Sequence, residues 1–221
     1  NVYVLGHATA PGKEGEESRK VSVAHSKDEG KTFAQEKPAF DQRTGACGCC
    51  GMRAHVDAQG ALHVLYRSAT RQINRDIFLL RSTSPGKSFM GIKLDRWPIA
   101  ACPMSTMSFG GNEKTTLATW ETRGQVYFAR VDPQTGKTSR PVAAPGEGKK
   151  RKHPVVAISS RGEVLLAWTE GMGWKRGGTL AWQVFDTDGK PTREKGQARG
   201  VPAWSLITSV PLENGDFVIV R

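Results

Sequence analysis

The chain has 221 residues, 38% hydrophobic and 24% charged, a composition that supports a buried core and excludes a disordered chain. No apolar run approaches the roughly 20 residues that cross a bilayer, so no membrane span is expected. The formal net charge of +11 suits an anionic partner such as an acidic glycan, a membrane surface or nucleic acid. Only Lys149-Lys150-Arg151-Lys152 is densely basic, however, and no aromatic residues interleave it, which argues against nucleic acid.

The opening run NVYVLGHA alternates as a strand and reads as the second strand of a repeating unit, so a further segment upstream is expected. A Gly-Lys turn follows at Gly30-Lys31. The segments MRAHVDA, ALHVLYRS, DIFLLRS and FMGIKL then predict four short strands, with turns at Gly60 and at Gly86-Lys87.

The same order recurs along the chain. Gly60, Gly111, Gly162 and Gly215 are 51, 51 and 53 residues apart, and Gly30, Gly86, Gly136 and Gly189, each followed by Lys, are 56, 50 and 53 apart. Two glycine series with one period define strand, Gly turn, strand, loop, strand, Gly-Lys turn, strand. A period of this size matches the four-stranded antiparallel blade of an all-β propeller; the alternative, a two-sheet jelly roll, lacks such long-range self-similarity. The expectation is one propeller domain over residues 1–221 containing about four and a half blades, with five or six in a complete protein whose N-terminal part is missing here, and almost no helix.

At the Gly-Lys turns the sequence becomes more specific. Ser26-Lys27-Asp28-Glu29-Gly30-Lys31-Thr32-Phe33 matches Ser-x-Asp-x-Gly-x-Thr-aromatic, and Ser82-Thr83-Ser84-Pro85-Gly86-Lys87-Ser88-Phe89 is a degenerate copy with Ser84 in the Asp place. The Asp28 carboxylate is expected to accept backbone N–H groups of its own turn, Gly30 to supply positive φ, and Phe33 to pack between sheets. With the repeat, these turns make the chain resemble the sialidase-like, Asp-box (BNR-repeat) propellers.

The resemblance implies a structural, non-catalytic role for Ser26, Asp28, Gly30, Thr32 and Phe33. For an enzyme it implies an exo-glycosidase of sialidase type: three arginines holding the substrate carboxylate, a Tyr nucleophile assisted by a Glu, and an Asp acid/base. The family's Arg-Ile-Pro motif does not occur in this chain. Arg53, Arg67, Arg75, Arg123, Glu121 and Tyr66 are candidates for these roles, but none matches a family motif residue by residue, and Tyr3, Tyr66 and Tyr127 all fall in predicted strands. Non-enzymatic propellers share the same repeat, so the enzymatic question stays open.

Propeller topology brings the interblade loops to the same face as the loops between second and third strands. The predicted interblade loops are Gly45–Met52, Ala101–Met104, Lys152–Pro154 and Val201–Trp204. All four cysteines fall in the first two and are expected to meet near the central mouth. Three chemistries are open: disulfides joining Cys102 to the Cys47–Cys50 loop; a copper or zinc site of Cys47, Cys49, Cys50 and Cys102 with Met52, Met104, Met107 or His153; or a reactive thiol at the vicinal Cys49-Cys50. The second-to-third-strand loops contribute Arg71, Asn74 and Arg75, then Glu121, Thr122 and Arg123, then Met172, Trp174, Lys175 and Arg176; here arginine can hold a carboxylate and tryptophan can stack on a sugar. The leading expectation is recognition or hydrolysis of an acidic glycan at the axial mouth. The rival is a non-catalytic propeller with a soft-metal site or a protein partner in a larger assembly. The resemblance and the even cysteine count imply an extracytoplasmic (periplasmic or secreted) location.

Overall fold

The computed structural model describes residues 1–9, 11–84, 88–147 and 150–221. The expected Gly86-Lys87 turn and Lys149 of the basic run lie outside the described residues. The chain forms two compact units, Asn1–Met104 and Ser105–Arg221. Among the described residues the only helices are two single 3-10 turns, Glu16–Ser18 and Gly48–Cys50.

In the first unit, β1 (Val2–Thr9), β2 (Arg19–Ser26) and β3 (Lys37–Pro38) form one sheet, and β4 (Met52–Val56), β5 (Leu62–Arg67), β6 (Ile77–Ser82) and β7 (Met90–Asp95) form a second. In the second unit, β8 (Ser108–Gly111), β9 (Thr116–Thr122), β10 (Gln125–Val131) and β11 (Val142–Ala143) form one sheet. There, β12 (Arg151–Ile158), β13 (Val164–Glu170), β14 (Gly178–Phe185) and β15 (Pro191–Val201) form another, followed by the hairpin of β16 (Thr208–Pro211) and β17 (Phe217–Val220). Every sheet takes its strands in chain order and every pairing is antiparallel. A jelly roll would instead pair strands remote in sequence.

Inner strands are the most buried elements of the four-stranded sheets, and β6 is buried at every residue. Every residue of β5 and of β9 is buried, because each lies between neighbouring strands and under side chains of the adjacent sheet. Val21 and Val23 of β2 pack with Leu62, Val64 and Tyr66 of β5 and with Phe78 and Leu80 of β6. In the second unit Leu117, Val126 and Phe128 pack with Val156, Ile158, Leu166 and Trp168, and Phe128 meets Phe185 edge-on at 5.0 Å. Each large side chain buried in these layers contributes about 1.5–3 kcal/mol of transfer free energy.

The Ser26–Phe33 turn holds itself together. Asp28 Oδ1 accepts the Thr32 N–H at 2.9 Å, Oδ2 accepts the Thr32 hydroxyl at 2.6 Å, and Ser26 Oγ accepts the Gly30 N–H at 2.8 Å. The Ser26 hydroxyl also donates to Asp28 Oδ1 at 2.7 Å, and the bonds made to the carboxylate, from Thr32 first and Ser26 next, lower the Asp28 carboxyl to about 2. Gly30 has φ of 90°. Phe33 departs from expectation: it does not pack between sheets but stays 43% exposed, lying over its own turn, with its ring tip 4.0 Å from the position a Gly30 Cβ would take. The equivalent Phe89 does pack against the core of the first unit.

Other turns also correct the sequence reading. Gly111 closes β8, and the turn belongs to Asn112, whose side-chain oxygen accepts the Lys114 and Thr115 N–H groups at 3.0 and 2.9 Å. Asp132 and Asp186 cap the later Gly-Lys turns in the same manner. Lys152–Pro154 is not a loop but part of β12, which carries a bulge between Lys152 and Val155 with His153 at φ 51°. Glu121 and Thr122 end β9, and Arg123-Gly124 form a two-residue turn into β10, both at positive φ.

Candidate functional site

In the first unit, Cys47, Cys50 and Cys102 form a cluster. Cys47 Sγ is 3.4 Å from Cys50 Sγ and 3.5 Å from Cys102 Sγ, and all three sulfurs lie within 4.8 Å of one another. All four cysteines are free thiols; Cys47 and Cys50 are buried, Cys102 is half-buried, and Cys49 is exposed. The 3-10 turn Gly48–Cys50 makes this possible. At about three residues per turn, residues 47 and 50 share a face while Cys49 turns away. The sequence read as Cys-x-Cys-Cys conceals this Cys-x-x-Cys spacing.

The loop is fixed by its backbone. The Cys47 N–H donates to Arg67 O at 2.9 Å, the Ala46 N–H to Glu16 O at 3.0 Å, and the Gly48 N–H to the Glu16 carboxylate at 3.0 Å. Gly45, at φ 60°, lies against the Ala69 carbonyl so closely that a Cβ would overlap it. The Cys102 and Cys50 thiols, with the nearby Arg75 guanidinium, hold the Cys47 thiol well below its ordinary pKa. Cys102, hydrogen-bonded to both partners and shielded from water, is pushed up correspondingly, while the Met104 backbone hydrogen bond opposes the change.

The two arginines beside this cluster are not open to a substrate carboxylate. Arg67 is fully buried, donates to Arg75 O at 2.9 Å and stacks over Trp97 at 5.2 Å. Arg75 pairs with the Glu16 carboxylate at 2.9 Å. Arg53 curls back onto Met52 O at 3.0 Å, and Met52 itself packs on the core of the first unit. Tyr66 is buried, lies 2.7 Å from the Thr44 hydroxyl, and has its phenol pushed up to about 12 by burial.

In the second unit, Glu121 is buried with Oε1 accepting the Gly124 N–H at 2.7 Å, so it caps its own turn, at whose tip Arg123 is exposed. His153 Nδ1 faces the Thr106 N–H and hydroxyl at 3.3 and 3.2 Å.

The second unit also presents a pair of exposed tryptophans. Trp174, between β13 and β14, and Trp204, between β15 and β16, meet edge to face with ring centroids 4.2 Å apart, and they are 65% and 58% exposed. Their loops are anchored from below, where Met172 and Ile207 enter one buried cluster with Leu180 and Val201. Two glycines allow the approach. A Cβ at Gly177 would overlap the Val201 carbonyl, and one at Gly178 would come within 2.6 Å of Glu170 O. Lys175 and Arg176, next in sequence to Trp174, are also exposed. Sequence reasoning singled out Trp174 but quoted Trp204 only as a loop residue; the Gly-Gly pair at 177 and 178 was the available sign of close loop packing.

No protein-family model and no curated protein matches the sequence. Solved structures do resemble the fold. The NanB sialidase of Streptococcus pneumoniae aligns at 12% identity and TM-score 0.61 over 91% of this chain and 32% of its own. The GH93 α-L-arabinofuranosidase of Fusarium graminearum aligns at 14% identity and TM-score 0.64 over 99% of this chain and 71% of its own. An intramolecular trans-sialidase from Ruminococcus gnavus aligns at 12% identity and TM-score 0.58 over 90% of this chain and 45% of its own. The chain thus spans about a third of the length of the NanB sialidase. At these identities the likeness establishes a shared β-propeller fold and nothing further.

Proposed function

We propose that this chain is a saccharide-recognition module on a propeller scaffold and that it binds an acidic glycan through Trp174 and Trp204. The observation that carries the reading is the pair itself: two tryptophans 65% and 58% exposed, 4.2 Å apart, on loops anchored beneath by Met172 and Ile207. Leaving two large indoles in water forgoes several kcal/mol of burial, and exposed aromatic clusters on a fixed frame are characteristic of contact surfaces. An indole face offers a sugar ring a flat partner for its C–H groups, while Lys175 and Arg176 beside it supply cations for a carboxylate or sulfate. The likeness to a sialidase, a trans-sialidase and an arabinofuranosidase supports the same chemical class of ligand.

Recognition fits the residues better than hydrolysis does. A tyrosine nucleophile needs a phenol that loses its proton readily, whereas Tyr66 is buried and pushed the other way. Arg67 and Arg75 are occupied with internal partners. An array of acidic and neutral oligosaccharides probed with the purified chain tests the reading. Binding to carboxylated or sulfated members, lost in W174A and W204A, is the expected result; binding unaffected by both substitutions, or no binding at all, overturns it.

A further inference from the structure

The Cys47, Cys50 and Cys102 cluster has the attributes of a built site. Two of its sulfurs are set on one face of a single helical turn, and the third arrives from the loop after β7, 55 positions from Cys47. The turn is pinned at both ends of its chemistry: Cys47 N–H to Arg67 O, Gly48 N–H to the Glu16 carboxylate, and that carboxylate to Arg75 at 2.9 Å. Such anchoring fixes donor atoms before a ligand arrives. Cys102 is half-buried beside two buried partners, so the cluster is partly open to solvent at that sulfur.

We propose that Cys47, Cys50 and Cys102 bind one Cu(I) ion as three thiolates. Thiolates are soft donors and select soft ions. On binding, three Cu–S bonds form, each thiol that still carries a proton loses it to solvent as its S–H bond breaks, and the copper stays Cu(I), so no electron acceptor is needed. A thiolate–metal bond of about 2.3 Å places three sulfurs around a trigonal ion about 4 Å apart. The observed separations, from 3.4 Å up to no more than 4.8 Å, bracket that value.

Charge points the same way. Three thiolates and one Cu(I) carry two negative charges, and the guanidiniums of Arg67 and Arg75 act on Cys50 and Cys47 respectively. Structural zinc demands a fourth ligand, and among the described residues no other His, Cys, Asp or Glu atom joins the cluster. Cys49 faces solvent and is excluded by the turn that aligns its neighbours. The site is independent of the saccharide reading, and either can fail without the other.

The test uses the whole chain, reduced and metal-free, titrated anaerobically with Cu(I) against the chromogenic chelator bicinchoninate. One Cu(I) per chain, a shell of three sulfurs in X-ray absorption, and an affinity at least tenfold weaker in C102S but unchanged in C49S are expected. R75Q, which keeps all three ligands, is expected to weaken binding about 10- to 100-fold as an outer-shell change. Should C102S fail to fold, the sulfur count in the unaltered protein still decides. Copper left wholly on the chelator, Zn(II) loading the site in preference to Cu(I), or C49S losing as much affinity as C102S would each overturn the proposal.

Discussion

Cys102 Sγ stands 3.5 Å from Cys47 Sγ although 55 positions separate them in the chain. The contact exists because two loops at the same end of one antiparallel sheet, one entering β4 and one leaving β7, carry sulfur. Burial then sorts the four thiols. Brief alkylation of the native, reduced, metal-free protein should modify Cys49 first, Cys102 next, and Cys47 and Cys50 last, as read by peptide mass spectrometry. Alkylation of Cys50 as fast as Cys49 would show that the turn at Gly48–Cys50 does not bury it.

The loop that delivers Cys47 depends on Gly45. Its φ of 60° and its approach to the Ala69 carbonyl leave no room for a side chain, and Glu16 O would lie 2.8 Å from an added Cβ. G45A should cost roughly 2–4 kcal/mol, combining backbone strain with overlap. G60A is the comparison: φ is 80° but nothing lies within 4 Å of the added Cβ, so about 1 kcal/mol is expected. Urea unfolding of the two variants measures the difference; equal losses would contradict the close approach at Gly45.

A buried imidazole makes stability fall on the acid side. His63 is fully buried, 2.7 Å from the Asp57 carboxylate. Burial lowers its pKa against the opposing pull of Asp57, and Arg81 lowers it further. Burial and His63 lower His55, the cross-strand neighbour, while Asp57 opposes the change. Histidines with depressed folded-state pKa values contribute stability above the ordinary histidine value. That contribution is lost as pH falls below it, by at most about 1.4 kcal/mol per pH unit for each proton taken up by the unfolded chain. The urea midpoint should therefore drop between pH 7.5 and pH 5, and drop less in H63Q. An identical drop in both proteins would show that His63 does not carry the effect.

Much of the fold was legible because glycine turns repeat at a nearly constant period and flank short alternating segments: MRAHVDA, ALHVLYRS and DIFLLRS contain β4 to β6, and FMGIKL contains β7 except for Asp95. The alternation in LHVLYR reports a strand but not that both of its faces are covered, since that depends on what stacks against the sheet. The meeting of Cys47 and Cys102 followed from sheet topology. Which of Cys47, Cys49 and Cys50 turns inward did not, because adjacency in sequence says nothing about a local 3-10 turn. Arg67 and Arg75 looked like carboxylate ligands as residue types, yet the pairing of Arg75 with Glu16 arises from a segment more than fifty positions away. His153 was read into a loop because a Pro, here Pro154, ordinarily interrupts a strand, whereas β12 accommodates it in the bulge between Lys152 and Val155.

The functional account stands on the Trp174–Trp204 pair. Calorimetric titration of the chain with an acidic oligosaccharide identified on the array, repeated with W174A, W204A and the doubly substituted protein, tests it directly. A single saturable site, weakened at least tenfold by either substitution at unchanged thermal stability, corresponding to more than about 1.4 kcal/mol, is the predicted result. Undiminished affinity in the doubly substituted, folded protein would contradict the account.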